Sequence, residues 1–227
     1  FASTHYWLEH GVITGLALSG LGHDVTIGYY PYGRWDFNSP QFDVRRQSVY
    51  SATVLRPASA VMNFENLLHT HSSFSLLPEA LQQAVDQVTD FDYMYAFQTE
   101  EVNREDPFYL FRHERNLHAA KSLLTYLRSL KPEVAIIPNG TILEFGIAYK
   151  VCGYLKIPTT TYEFSDKRHS MWLAHNQEIM QQNTDELWKT HANYQLTNAD
   201  LEELKVLLSS RKNASTFFTP PAVPSNS

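Results

Sequence analysis

The run Val134-Ala135-Ile136-Ile137, set between Pro132 and Pro138, constrains the fold of this chain more than any other stretch. Four successive apolar side chains leave no polar face, so a strand here must be covered on both sides, as strands of parallel sheets are. The flanking residues extend the pattern. Upstream, Leu117, Ala120, Leu124 and Leu127 mark the apolar stripe of a helix over Arg112 to Leu130, which Lys131-Pro132 stops. Downstream, Asn139-Gly140-Thr141 turns into a helix over Thr141 to Leu155, and Ile157-Pro158-Thr159-Thr160-Thr161-Tyr162 reads as the next strand. The short aromatic stretch Phe91 to Phe97 suits a buried strand. Strand, helix, strand, helix, strand between residues 91 and 162 predicts an α/β fold: a Rossmann-like parallel sheet with right-handed crossovers and helices on both faces.

Elsewhere the spacing predicts a helix over Glu9 to Leu21, with Val12, Ile13, Leu16 and Ala17 on one side and Gly22 ending it. A strand over Asp24 to Tyr30 follows. Pro31 to Ser75 reads as an excursion of loop with one strand at Ser48 to Leu55, and Pro78 to Val88 as a helix. A helix near Ser170 and a last one after Asn198, acidic at its start and basic at its end, complete residues 1–218 as one domain. Residues 219–227, rich in Pro and Ser, read as linker or disordered tail.

Composition narrows the function. Hydrophobic residues at 43% supply a core, and 18 basic against 24 acidic residues give a net charge of −6 with no basic block, which argues against a nucleic-acid partner. No apolar run approaches the roughly 18 residues of a membrane span. The single Cys152 excludes an internal disulfide framework and fits a reducing compartment, so the cytoplasm is the expected location. His69-x-His71 lacks a Cys/His partner set, and no metal site is expected. The glycine fingerprints of dinucleotide and phosphate loops and the nucleophile elbow of serine hydrolases do not occur.

In an open parallel sheet, ligands sit where loops leave the carboxyl ends of the strands. That rule selects Glu9-His10-Gly11, the Tyr30 to Asp36 loop, Asn139-Gly140-Thr141 and Glu163-Phe164-Ser165-Asp166. Gly140 lets backbone approach a ligand, and the helix starting at Thr141 offers free N–H groups; an ordinary Asn-Gly turn capped by Thr141 is the alternative. Glu163 either accepts from substrate hydroxyls or acts as a base, or it pairs with Lys167 or Arg168 at the surface. His10, at a helix start, is disfavoured in its protonated form and serves either as donor and acceptor or as a mere cap. Tyr29, Tyr30, Tyr32 and Trp35 are candidates for stacking on sugar rings.

The segments Glu9-His10-Gly11-Val12, Gly22-His23-Asp24-Val25, Pro132-Glu133-Val134, Pro138-Asn139-Gly140 and Ile157-Pro158 with Thr161 and Glu163 together resemble the amino-terminal half of a GT-B glycosyltransferase. The likeness is to family 4-like enzymes of capsular or surface polysaccharide synthesis and covers roughly residues 7 to 165. It implies an acceptor-binding domain for a saccharide or lipid-linked acceptor, with peripheral association at the inner face of the membrane. A nucleotide-sugar donor would bind mainly a separate carboxyl-terminal half, and no other cofactor is implied. On this resemblance Glu163 and His10 are the candidate catalytic residues, and Gly11, Tyr32, Asn139, Gly140, Thr141 and Asp166 the acceptor contacts. Asn139 and Glu163 stand where family members often carry His. Glu178 and Glu186 have the seven-residue separation of the donor-site glutamates, without the strand and glycine turn that precede those. The family's pattern also places a first strand ahead of Phe1, so a gap or a substitute strand is expected beside Asp24 to Tyr30. Two other readings share the fold: a non-catalytic saccharide-binding or assembly module, and a nucleotide-sugar epimerase-like or oxidoreductase enzyme.

Overall fold

The structure, a computed structural model, describes residues 5–30, 41–70, 75–165 and 170–212. The chain is α/β. In order it forms α1 (His5–Gly20), β1 (Thr26–Tyr29), α2 (Gln41–Ala58), β2 (Asn63–Asn66), α3 (Glu79–Phe97), α4 (Pro107–Leu130) and β3 (Ala135–Pro138). Then come α5 (Leu143–Leu155), β4 (Thr159–Phe164), β5 (Met171–His175), α6 (Asp185–His191) and α7 (Asn198–Lys212). Two crossover units carry the architecture. β1 pairs in parallel with β2 through α2, Thr26 opposite Asn63, and β3 pairs in parallel with β4 through α5, Ala135 opposite Thr159. β5 folds back antiparallel on β4, Phe164 opposite Met171.

Side-chain alternation along β1 shows how the helices are layered. Ile27 joins Val12 of α1 and Ala58 and Met62 at the end of α2 in one core. Tyr30 points the other way and donates its hydroxyl hydrogen to the Ala119 carbonyl of α4 at 3.3 Å. On that side Leu81, Val85 and Val88 of α3, Leu124 of α4, Ile137 of β3 and Val151 of α5 form the larger core. Two helical layers therefore lie on opposite faces of β1.

Local signals set the helix ends. The Asp106 carboxylate accepts from the Phe108 N–H at 2.8 Å with Pro107 in the first turn, the expected start for α4. Gly22 follows α1 at φ +92°. Lys131 and Lys156 take the left-handed position after α4 and α5, where glycine is the usual residue.

Three expectations are overturned. Phe91–Phe97 is the end of α3, because the buried stripe of Leu81, Val85 and Val88 runs on through Asp92, while Tyr93 and Phe97 pack their rings on Phe108 of α4. Ser48–Leu55 lies within α2, where the Thr53 hydroxyl is satisfied by the Val49 carbonyl one turn back and Val54 and Leu55 pack on the α1–β1 core. The helix expected near Ser170 is β5, whose backbone is taken up by the open edge of β4. The sheet is also not continuous and not wholly parallel: β1–β2 and β3–β4–β5 are separate sheets. Val134 and Ile136, expected to be covered, are 49% and 44% exposed. The tail at 219–227 lies outside the described residues.

The α3–α4–α5 layer is joined by a buried polar cluster. Arg112 of α4, its side chain 2% exposed, donates through Nε to Asp92 of α3 at 3.1 Å and through Nη2 to Glu144 of α5 at 3.2 Å. Asn116 donates to the same Asp92 oxygen at 2.8 Å and to the Thr89 hydroxyl at 3.1 Å. The other Asp92 oxygen accepts from the Leu143 N–H at 2.6 Å, at the start of α5. Two carboxylates share one guanidinium here, and burial pushes the Glu144 carboxyl above its ordinary value, against the pull of Arg112.

Arg112→Ala leaves both carboxylates buried without their cation and is expected to cost about 3–5 kcal/mol in chemical denaturation. Arg104→Ala, which breaks the exposed pair with Asp90, is expected to leave the midpoint almost unchanged. A carboxyl whose folded value is raised contributes its full stability below the unfolded value, near 4.5, and loses it as pH rises through the folded one. The stability of Glu144→Gln relative to the natural protein is therefore expected to increase as pH rises above about 4.5, up to the point where Glu144 ionises in the folded chain. A difference that is flat or falls as pH rises above about 4.5 contradicts the assignment.

Candidate functional site

The carboxyl ends of β3 and β4 carry most of the residues singled out above. β3 ends at Pro138, and the chain then turns through Asn139 at φ +55° and Gly140 at φ +83° before Leu143, at φ +54°, opens α5. Gly140 is required twice. Its backbone is left-handed, and a Cβ there would lie 2.7 Å from Cγ2 of Thr161, a side chain fully buried in β4.

Asn139 organises the loop. Its side-chain oxygen accepts from the N–H groups of Thr141 at 2.9 Å and Ile142 at 3.4 Å, and its Nδ2 donates to Glu163 Oε2 at 3.1 Å. The second Glu163 oxygen accepts from the Phe164 N–H at 3.0 Å. Thr141, considered as a helix cap, is not one: Ile142 occupies that position, and Asn139 takes the N–H groups. The Thr141 hydroxyl is buried with no hydrogen-bond partner among the described residues. Asn139, Gly140, Thr141 and Glu163 thus form one polar group around the start of α5.

His10 belongs to a different group. Its Nδ1 lies 3.3 Å from the Tyr162 hydroxyl, and its ring meets Phe164 edge-on at 5.1 Å. Trp7, one turn earlier on α1, stacks on Phe164 at 5.0 Å and meets Tyr162 and Phe145 edge-on. Burial lowers the His10 imidazole below its ordinary value and raises the Tyr162 phenol. Both are therefore neutral near pH 7, suited to sharing one hydrogen rather than an ion pair. Tyr162 and Phe164 occupy one face of β4, and Glu163 between them points to the other. The sequence grouped His10 with Glu163 on one ligand-facing surface; the structure assigns them to opposite faces of the same strand.

Gly11 lines a cleft between β1 and β3 rather than the Asn139 group. Tyr32 and Asp166, and with them Trp35 and the alternative partners Lys167 and Arg168, lie outside the described residues. Glu178 and Glu186 differ in surroundings: Glu178 is buried against Lys150 at 2.6 Å, while Glu186 is exposed on α6 and pairs with Lys189. Burial raises the Cys152 thiol to about 12, so it is no nucleophile at neutral pH. Among the described residues no group of three or more His, Cys, Asp or Glu side chains could hold a metal ion, and no helix is long and apolar enough to cross a membrane.

Sequence reasoning missed Trp7 and the Asp92–Arg112–Glu144 cluster. A trace of the last was present: Arg112 and Asn116 fall one helical turn apart on the buried side of α4, polar residues on an apolar stripe.

No protein-family model matches this chain, and no curated protein or solved structure matches it.

Gly140→Ala forces a left-handed alanine against Thr161 and is expected to destabilise by more than about 1 kcal/mol. Gly153→Ala, on α5 with open space around it, is expected to stabilise slightly. Thermal melts of the two variants separate a conformational requirement from general intolerance of α5.

Proposed function

We propose that the chain is the acceptor-binding half of a glycosyltransferase that uses a nucleotide-sugar donor, with a Rossmann-like sheet as its scaffold. The observation that carries this reading is the Asn139–Glu163 pair at the carboxyl ends of two parallel strands, where ligands of such sheets bind. A carboxylate held by an amide offers the mix of acceptors and donors that sugar hydroxyls require. The resemblance to GT-B enzymes supplies the reaction class and the second, donor-binding half.

The division of His10 and Glu163 between two faces bears on mechanism. An inverting transfer needs one base at the acceptor hydroxyl, and only one of the two can stand there. Glu163 is the choice, because it stands with Asn139 at the carboxyl ends of two paired parallel strands, where ligands of such sheets bind. In a retaining transfer Glu163 orients the acceptor and takes no proton. The same division favours, as a second reading, a non-catalytic saccharide-binding module in which neither residue transfers a proton.

Saturation-transfer NMR with glucose, galactose, rhamnose and N-acetylglucosamine is the direct test, with uridine diphosphate as the nucleotide control. At least one sugar is expected to bind, and Glu163→Gln to weaken it about tenfold or more, the worth of a charge-assisted hydrogen bond. Uridine diphosphate is expected not to bind this chain. Sugar binding unaffected by Glu163→Gln, or nucleotide binding at Asn139, defeats the reading.

A further inference from the structure

A cleft of about 830 Å³ separates the two sheets. Its walls have an unusual composition. Residues 23–30, which include β1, and residues 130–138, which include β3, line it without a break. A strand that presented its face would contribute alternate residues; an unbroken run means that the backbone edges of both strands border the opening. β1 and β3 each pair on one side only, with β2 and β4, and no backbone hydrogen bond joins them among the described residues.

The other two walls are helical and largely apolar. α1 contributes Gly11, Thr14, Gly15 and Leu18, one stripe at helical spacing. Leu123 and Leu127 of α4 and Phe145 and Ala148 of α5 stand opposite. Two backbone edges and two apolar helical faces make up the surroundings of a central strand in a parallel sheet. The apolar surface left open agrees: Val134 and Ile136 are about half exposed, and Leu130 is 42% exposed.

We propose that this cleft is the seat of one further β-strand, parallel to β1 and β3 and leading directly into α1. Direction follows from where α1 starts. Trp7 packs on Tyr162 and Phe164 at the end of β4 and on Phe145 at the start of α5, so α1 begins at the carboxyl edge of the sheet. A parallel strand in the cleft ends at that same edge and delivers the chain to α1, which then crosses over to β1 in the right-handed sense that such units adopt. The occupant pairs over about four residues, the length of β1 and of β3. It is apolar on both faces, with bulk toward the small residues Gly11 and Gly15. Charged groups of the lining lie toward the ends, Asp24, Lys131 and Glu133 at one and Glu144 at the other, so the middle of the strand carries no charge.

The test joins Lys-Val-Leu-Ile-Val-Ser to Phe1 of the 227-residue chain and compares it with a Gly-Ser repeat of equal length. The strand sequence is expected to raise the thermal midpoint by about 5 °C or more, and to slow amide exchange at Thr26–Tyr29 and Ala135–Ile137 about tenfold or more, where the Gly-Ser repeat does neither. Ala148→Trp, which fills the cleft, and Ile136→Asp, at a half-exposed position that tolerates charge in the unextended chain, are each expected to abolish both effects. Equal midpoints for the two extensions overturn the proposal. So does protection confined to the outer edges at β2 and β5, or protection by the free acetylated peptide where the joined one gives none.

Discussion

Arg112 is the point on which the rest of this structure depends. One guanidinium from α4 binds a carboxylate from α3 and another from α5, all within a region almost closed to solvent. Removing a charged group from water costs several kcal/mol, and an ion pair recovers that only where geometry and additional hydrogen bonds are good. Here Asn116 and the Leu143 N–H complete the coordination of Asp92. The cluster adds little net stability over an apolar core of the same shape. Its value is that only one arrangement of three helices satisfies every member, which makes it a specification of packing rather than a source of cohesion.

That specification reaches the candidate site through α5. Leu143 adopts a left-handed conformation that a branched residue resists at a cost of about 1–3 kcal/mol, and its N–H is held by Asp92. Asn139 holds the two N–H groups just before that of Leu143, those of Thr141 and Ile142, and its amide then positions Glu163. Hydrogen bonds at successive residues of one turn therefore link the buried Arg112 to the partly buried end of β4. At the first turn of α5 the Ile142 position has no side-chain cap, and the N–H groups of Thr141, Ile142 and Leu143 are held by Asn139 of the preceding loop and Asp92 of α3.

How much of this was legible in the sequence differs by level. The stripe of α4, the helix α5 and the strands at Thr26–Tyr29, Ala135–Pro138 and Thr159–Phe164 follow from local patterns, and their boundaries shift by only a few residues; the face read for α1 does not hold, since Val12 is buried but Ile13 and Leu16 are 64% and 40% exposed. Phe91–Phe97 and Ser48–Leu55 did not, because short aromatic or β-branched runs carry no period long enough to decide, and tertiary packing then overrides propensity. Placing Asn139 and Glu163 at strand ends needs only topology. Placing His10 relative to Glu163 needs the face of β4 that α1 covers, and that is fixed by Trp7 packing across a sequence separation of about 150 residues, which no local pattern records.

The cleft and the site share α5. Phe145 and Ala148 form part of one wall of the opening, Glu144 stands at its end, and the residues just before them build the turn that holds Asn139. Along β3 the same coupling recurs, since Ile136 and Ile137 both border the opening, Ile137 also packs in the larger core, and Pro138 leads into the loop. Order in the opening and order at Glu163 are then two aspects of one element. With the centre open, Tyr30 and Leu67 join the larger core, and Trp7 and His10 of α1 pack on Phe145, Tyr162 and Phe164. A strand between β1 and β3 converts two small sheets into one and ties both layers to a common backbone ladder. Glu144 feels that change most directly, because further exclusion of water at the end of the cleft adds to the burial that already disfavours its charge.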